Sequence, residues 1–323
     1  MIALVLPVFQ FSAMARATEI GFFTNFKVSL ADINTFPSKP ESPARGIKIL
    51  VRVLEPLGYV KEKNGTYALT KLARKMPIDR LQAMAPYFKH FTEVTIPKVG
   101  QGIQQAPEDG IYGWEHVKSG EIGRSYQATM RWLASSMVDQ VVKKITLPDK
   151  AEKMLDVGGS HGLYTVAFCK KYPHLKGTIL DWEIGLAEAE KTLRDNPEVA
   201  DRIELVERDF EKEELPAGYD FAFLGNIIHG ISPEGNRELF GKLSRATTER
   251  GIVGIQDQFA GIKGSNFSKA VAGLAGFNLF MFSGGRAYEF EDLKDWLSEA
   301  GFTKHKLHNL KQPGMSLAIS KKE

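Results

Sequence analysis

Three apolar runs of this chain end in an acid: KMLD at Asp156, LKGTILD at Asp181 and RIELVERD at Asp209. The first passes at once into the small-residue turn VGGSHG and then into the helix-like run LYTVAFCKKYP. Gly158, Gly159 and Gly162 carry no Cβ, so the backbone there can turn tightly and approach a ligand closely. A strand, a small-residue turn and a helix in that order are the layout of a nucleotide-type cofactor site. Asp156 narrows the choice of ligand, because a carboxylate just before the turn repels a pyrophosphate and favours a cation. The dinucleotide fingerprint agrees, since it needs glycines at 158, 160 and 163, where this chain has Gly158, Ser160 and Leu163. A dinucleotide is disfavoured and a sulfonium fits. Asp181 can accept both hydroxyls of a ribose. Asp209 is placed to take an adenine amino group and Phe210 to cover the base. Any one of these acids alone reads equally well as a turn former or helix cap. Three in register behind a glycine turn read as a set.

The elements that must hold this set alternate strand and helix. Strands are expected at 154 to 157, 176 to 181, 202 to 208, 219 to 228 and 251 to 258, with helices between them, which predicts an α/β fold with a parallel sheet covered on both faces. FTKHKLHNL and MSLAISKK, joined by Gln312-Pro313-Gly314, read as a terminal hairpin. Upstream, Ser42 and Pro43 cap a helix, ARGIKILVRVLEPL, that stops near Gly58, and YVKEK and TYALT flank the turn pair Asn64-Gly65. Helix followed by a two-stranded wing is a winged-helix pattern and raises a DNA-binding alternative. Ile47, Ile49, Leu50, Val51, Val53 and Leu54 argue against it, because they leave little polar face to enter a groove. Between these regions a helix is expected from about Ser125 to Ile145, with Tyr126, Met130, Trp132, Leu133 and Met137 spread around it.

The 323 residues suggest about two domains, and 43% hydrophobic with 25% charged residues is an ordinary globular composition. A net charge of +3 from 42 basic and 39 acidic residues, with no dense basic run, gives no argument for nucleic acid. Cys169 is the only cysteine, so a disulfide framework is excluded and the thiol reads as core filler. The opening MIALVLPVFQFSAMARA lacks the basic start of a signal peptide and is too short to span a bilayer, so no membrane role and a cytoplasmic location are expected.

From Met154 to the C-terminus the motifs DVGGSHG, TILDWE, VERDFEKEELPAGYDFAFLGNIIHGISPEGN, RGIVGIQDQ and GGRAYEFEDLKDWLSEAGF occur in the order of the S-adenosylmethionine-dependent small-molecule O-methyltransferases. The chain resembles that family, which includes caffeate, flavonoid and acetylserotonin methyltransferases and bacterial tailoring enzymes. Its glycine loop usually reads DVGGGTG, so Ser160 and His161 are substitutions. The resemblance implies a class I methyltransferase Rossmann-like sheet at 149–323, a winged-helix-like N-terminal domain at 1–98 through which two subunits pair as a homodimer, and a helical connector at 99–148 that contributes to the acceptor pocket. It implies S-adenosylmethionine as cofactor, held by Asp156, Gly158, Gly159, Gly162, Asp181, Trp182, Asp209, Phe210 and Asn226. No metal is implied.

Methyl transfer to oxygen also needs a base, because an unactivated phenol is mostly protonated at neutral pH. A histidine is the natural acceptor. His229, at the end of DFAFLGNIIH, matches the histidine of the family motif LHDW, and Asp257 in GIQDQ matches the acid that orients it. The bland reading of His229 is a strand-end histidine with a structural hydrogen bond. Gly230 and Ile231 stand where the family has Asp and Trp, and Ala287 stands near the position of a further family Glu, for which Glu289 is a loose substitute. Tyr126, Met130, Trp132 and Met137, with Phe277, Asn278 and Met281 of AGLAGFNLFMFSGG, suggest an apolar pocket for an aromatic or polycyclic small-molecule acceptor. The same residues also read as core packing. Alternatives are methyl transfer to carbon or nitrogen, a cofactor-binding protein on this fold that has lost methyl transfer, and a winged-helix regulator.

Overall fold

The structure is a computed structural model that describes residues 13–14, 16–18, 22–23, 28–29, 43–63, 66–75, 78–105, 110, 113–261 and 265–322. It divides into two compact units, Met1–Ile96 and Pro97–Glu323. Most of the apolar N-terminal run and the Asn64-Gly65 turn lie outside the described residues.

In the first unit the helix Pro43–Leu54 precedes β2 (Val60–Lys63) and β3 (Thr66–Leu69), which pair antiparallel, while β1 (Val28–Ser29) pairs with β3. Val51 and Leu54 bury against Ala17, Phe22, Phe23 and Val60. Ile49, at 56% exposure, and Val53, at 37%, lie on the outer face of the same helix.

The second unit is built on a sheet of order β10-β11-β8-β7-β4-β5-β6, with β9 paired to β8 off that path. Its strands are β4 (Lys153–Val157), β5 (Lys176–Asp181), β6 (Ile203–Glu207), β7 (Tyr219–Gly225), β8 (Thr247–Ala260), β9 (Tyr288–Glu289), β10 (Phe302–Asn309) and β11 (Met315–Lys322). β6, β5, β4, β7 and β8 are parallel, and the β10–β11 hairpin adds antiparallel to β8. Met154, Leu155 and Val157 of β4 are fully buried, as a central strand covered on both faces must be. Each such side chain contributes about 1.5–3 kcal/mol on leaving water. β4 has β5 on one side and β7 on the other, so the strand order reverses there, and a crevice opens at its carboxyl end.

Two expected elements differ. The fourth strand ends at Gly225, because Asn226 adopts φ 59° and turns the chain, so His229 sits in a 3-10 turn, Ile228–Gly230, rather than on the strand. The helix expected over 125–145 is two helices, Gly120–Ser135 and Val138–Lys144. Ser135 and Ser136 donate their hydroxyls to the Trp132 and Leu133 carbonyls at 2.6 and 2.8 Å, and the Met137 amide bonds three residues back to Ala134. That local competition tightens and ends the helix. Among the described residues no helix is long and apolar enough to cross a membrane.

Candidate active site

The glycine loop fills the crevice at the end of β4. Gly158 and Gly159 donate to the Leu180 carbonyl at 2.8 and 3.3 Å, tying the turn to β5. The Ser160 amide donates to Asp181 Oδ2 at 2.8 Å, and the Trp182 amide to Asp181 Oδ1 at 2.7 Å. Gly158 (φ 64°) and Gly162 (φ 67°) take the left-handed backbone that glycine tolerates without cost. Gly162 precedes the helix Leu163–Lys171, where a Cβ would lie 2.8 Å from Ile179 Cδ1, so it sets the close packing of that helix on the sheet.

Above the loop lies a cavity that, with the solvent at its mouth, encloses about 860 Å³. Asp156, Gly158, Gly159, Asp181, Trp182, Phe210 and Asn226 line it, as do Tyr126 and Met130. A Cβ at Gly158 would stand 2.3 Å from Ile227 Cδ1 and 3.4 Å from Phe210 Cε1, both cavity residues, so the missing side chain is what keeps this cradle open. The donor set suits S-adenosylmethionine: carboxylates and apolar rings face the cavity beside a bare backbone turn. Lys242 steadies the Phe210 end of the cavity, because its ammonium donates to the Phe210 and Glu211 carbonyls at 3.0 and 2.7 Å.

Asp156 and Asp181 are buried at 1% and 8% exposure. Burial pushes the Asp156 carboxyl up to about 7, against the Thr165 hydroxyl that donates to its Oδ2 at 2.6 Å, and the nearby Asp181 raises it further. Burial likewise raises Asp181 to about 6, against the two amides that hold it. Raising the pH ionises both groups, and a cation over the loop favours the ionised form. Affinity for a sulfonium ligand is therefore expected to climb as pH passes through about 6 to 7 and then level off. Calorimetric titrations at about pH 5.5 and about pH 8 check this, and equal affinities would remove the electrostatic role given to Asp156.

His161 also lines the cavity, but burial first and the Arg131 charge second push its imidazole down to about 3. It stays neutral, and its Nδ1 accepts the Leu163 amide at 3.2 Å. His229 has a different partner: Nδ1 lies 2.5 Å from Asp257 Oδ1, which also accepts the Gln258 amide at 2.7 Å. Asp257 is fully buried on β8. With Nδ1–H donating to a carboxylate, the lone pair is left on Nε2, the arrangement an acceptor of protons requires. The His229 carbonyl accepts the Arg286 amide at 2.9 Å and packs on Gly285, where a Cβ would come within 2.0 Å of it. The His229 side chain is 8% exposed. Neither His229 nor Asp257 lines the cavity, whereas Ile227, Gly230 and Ile231 beside His229 do. A second network at the strand ends runs from the Tyr164 hydroxyl to Gln256 Oε1 at 3.0 Å and from Gln256 Nε2 to Asn226 Oδ1 at 3.2 Å.

Several expected site residues lie elsewhere. Asp209 does not line the cavity: it pairs with Lys212 at 3.1 Å and caps the following turn, and the acid at that edge is Glu211. Gly162 acts beneath the loop rather than at the cavity. Trp132 is 40% exposed on the outside of its helix, and Met137 is buried in the core with Val141, Phe168 and Phe223. Phe277 is 39% exposed and Met281 buried at 1%; neither lines the cavity, nor does Asn278, whose Oδ1 is buried without a hydrogen-bond partner. Sequence reasoning missed Trp114, Gln127, Tyr164, Glu211 and Ile227 as cavity residues. Apolar periodicity gives no sign of which aromatic faces a cavity and which a core.

The doubly wound sheet, the glycine turn at its reversal point and the buried acids define a class I methyltransferase-type cofactor domain. The sequence profile of the O-methyltransferase domain matches residues 99–303. The 3-hydroxy-5-methyl-1-naphthoate 3-O-methyltransferase of Streptomyces sahachiroi is 22% identical over 314 residues, covering 95% of this chain and 90% of that protein. The solved structure of PigF with SAH has a TM-score of 0.84 at 19% identity, covering 99% of this chain and 98% of that one. The mitomycin 7-O-methyltransferase MmcR gives 0.84 at 14% identity, covering 99% and 96%. The chain belongs to the O-methyltransferase domain family. It is an S-adenosylmethionine-dependent O-methyltransferase.

Proposed function

We propose that this enzyme methylates a hydroxyl group of an aromatic or polycyclic small molecule, with His229 as general base oriented by Asp257. The observation that carries the reading is the buried 2.5 Å contact between His229 Nδ1 and Asp257 Oδ1. Bound S-adenosylmethionine supplies a methyl group on a sulfonium. The chain's own part is to position and to deprotonate: Nε2 takes the hydroxyl proton, and the Asp257 carboxylate stabilises the imidazolium that results. His229 comes from the 3-10 turn after β7 and Asp257 from within β8, and the Gly285 and Arg286 backbone fixes the His229 main chain, so the imidazole is held before substrate arrives. Tyr126 and Met130 offer an apolar wall for the acceptor. Asp181 is assigned to the ribose, and Trp182 and Phe210 to the adenine. The aromatic acceptor named for the Streptomyces sahachiroi relative agrees with this class. The test is incubation of the full-length protein with S-adenosylmethionine and hydroxylated one- to three-ring aromatics, read by mass spectrometry. Methylation confined to ring carbon or nitrogen would overturn the assignment to oxygen.

The first unit is read as a winged-helix-like dimerisation domain of a cytoplasmic protein. The support is its helix and β2–β3 pair, with Ile49 and Val53 exposed on the helix, more apolar surface than its own core uses. Full-length protein is expected to be a dimer, and deletion of residues 1 to 20 to give monomer or aggregate. A monomer mass by light scattering at micromolar concentration would refute this.

A further inference from the structure

We infer that Trp114 and Gly230 form a size-matched pair that shapes the acceptor end of the cavity beside His229, so that a flat aromatic acceptor is taken against the indole. The inference rests on the methyl-transfer reading above. Gly230 is buried, and a Cβ there would lie 2.5 Å from Trp114 Cζ2, with Cε2 and Cη2 each at 3.4 Å. These atoms belong to a rigid ring system, which cannot swing aside as the end of a flexible side chain would. No side chain fits at 230 while the indole holds its place.

The indole is fixed from both sides. Trp114 opens the 3-10 turn Glu115–Val117, and its ring meets Tyr126 edge-on with centroids 6.4 Å apart. Val117 is buried, and the Lys118 ammonium sits 4.4 Å over the Trp182 ring, so the turn is anchored at its far end as well. Trp114, Tyr126, Met130, Gly230 and Ile231 all line the same cavity. Gly230 therefore contributes no bulk of its own, and Ile231 after it shares the wall with aromatic rings, Trp114 and Tyr126, from a distant part of the chain. Aromatic walls favour a planar ring in offset or edge-on contact over a branched aliphatic one.

The test uses the full-length protein loaded with S-adenosylhomocysteine, and measures binding of catechol, 3-hydroxy-2-naphthoate and 1-hydroxyanthraquinone by calorimetry. Trp114→Ala is expected to weaken the best-bound probe about tenfold or more and to shift the order of affinities toward the three-ring probe, the scale at which a pocket responds to small changes in shape. Gly230→Ala is expected to cost about tenfold in the wild-type background and less than about twofold in the Trp114→Ala background, because the new Cβ then has room. Trp114→Phe, a smaller perturbation of the fold, should move affinities in the same direction as Trp114→Ala. Affinity for S-adenosylhomocysteine should change less than about threefold in each variant. An equal cost of Gly230→Ala in both backgrounds would overturn the pair. So would a loss of S-adenosylhomocysteine affinity larger than the loss for the probes, which would put the indole at the cofactor end, or a wild-type protein that binds none of the three. Binding is the readout, so a protein that binds the probes in this pattern but methylates nothing would refute the proposed reaction and leave the pair standing.

Discussion

Replacing His229 by alanine is expected to lower turnover by about 10²- to 10⁴-fold, the usual scale for a positioned acid or base, while leaving affinity for S-adenosylmethionine nearly unchanged. The side chain is 8% exposed, and the partner of its Nδ1 is Asp257 rather than any residue assigned to the cofactor. Its removal therefore touches proton transfer rather than cofactor binding. Asp257→Ala is expected to act in the same direction but less severely. It would remove the partner 2.5 Å from Nδ1 that fixes the ring and stabilises its charged form, without removing the group that takes the proton. Single-turnover rates separate these effects from slow product release. A fully active His229→Ala enzyme would reject general-base catalysis, leaving an acceptor that ionises unaided or catalysis by proximity alone.

Asp181→Ala is expected to weaken S-adenosylmethionine and S-adenosylhomocysteine by about 1.5–3 kcal/mol, the worth of a hydrogen bond to a charged group. Both ligands carry the ribose, so both should lose affinity together. The carboxylate has a second duty, since Oδ2 holds the Ser160 amide and Oδ1 the Trp182 amide. Its loss also frees the glycine loop, and Asp181→Asn, which keeps the shape but can present only one acceptor oxygen, should fall between wild type and alanine. Calorimetry on a variant shown by circular dichroism to be folded is the check. Unchanged affinity would sink the ribose assignment.

The part of the cavity proposed for the cofactor was more legible in the sequence than the part proposed for the acceptor, for a physical reason. Asp156, the glycine turn and Asp181 lie at the ends of strands, where local patterning fixes both the element and its boundary, and a parallel sheet brings all such ends to one edge. Asp209 obeys the same pattern, yet its side chain turns to Lys212 and leaves Glu211 at the cavity, because a strand end fixes where a residue sits and not where its side chain points. The proposed acceptor side depends on two helices and a turn that carry aromatic and Met residues on more than one face. There, Tyr126 and Met130 reach the cavity while Trp132 faces solvent and Met137 the core.

By itself the sequence determined the alternating architecture, the terminal hairpin and the preference for a cationic nucleotide-like ligand. These follow from backbone periodicity, turn chemistry and charge, which act within a few residues. Only the tertiary structure decided how the buried acids are accommodated. Gly159 makes room for Asp156 and Gly185 for Asp181, since a Cβ at either position would come within 2.6 Å of the carboxyl carbon. It also decided that Trp114 closes the space left by Gly230. Such fits join residues that are distant in the chain, and steric complementarity between them leaves no periodic trace along it.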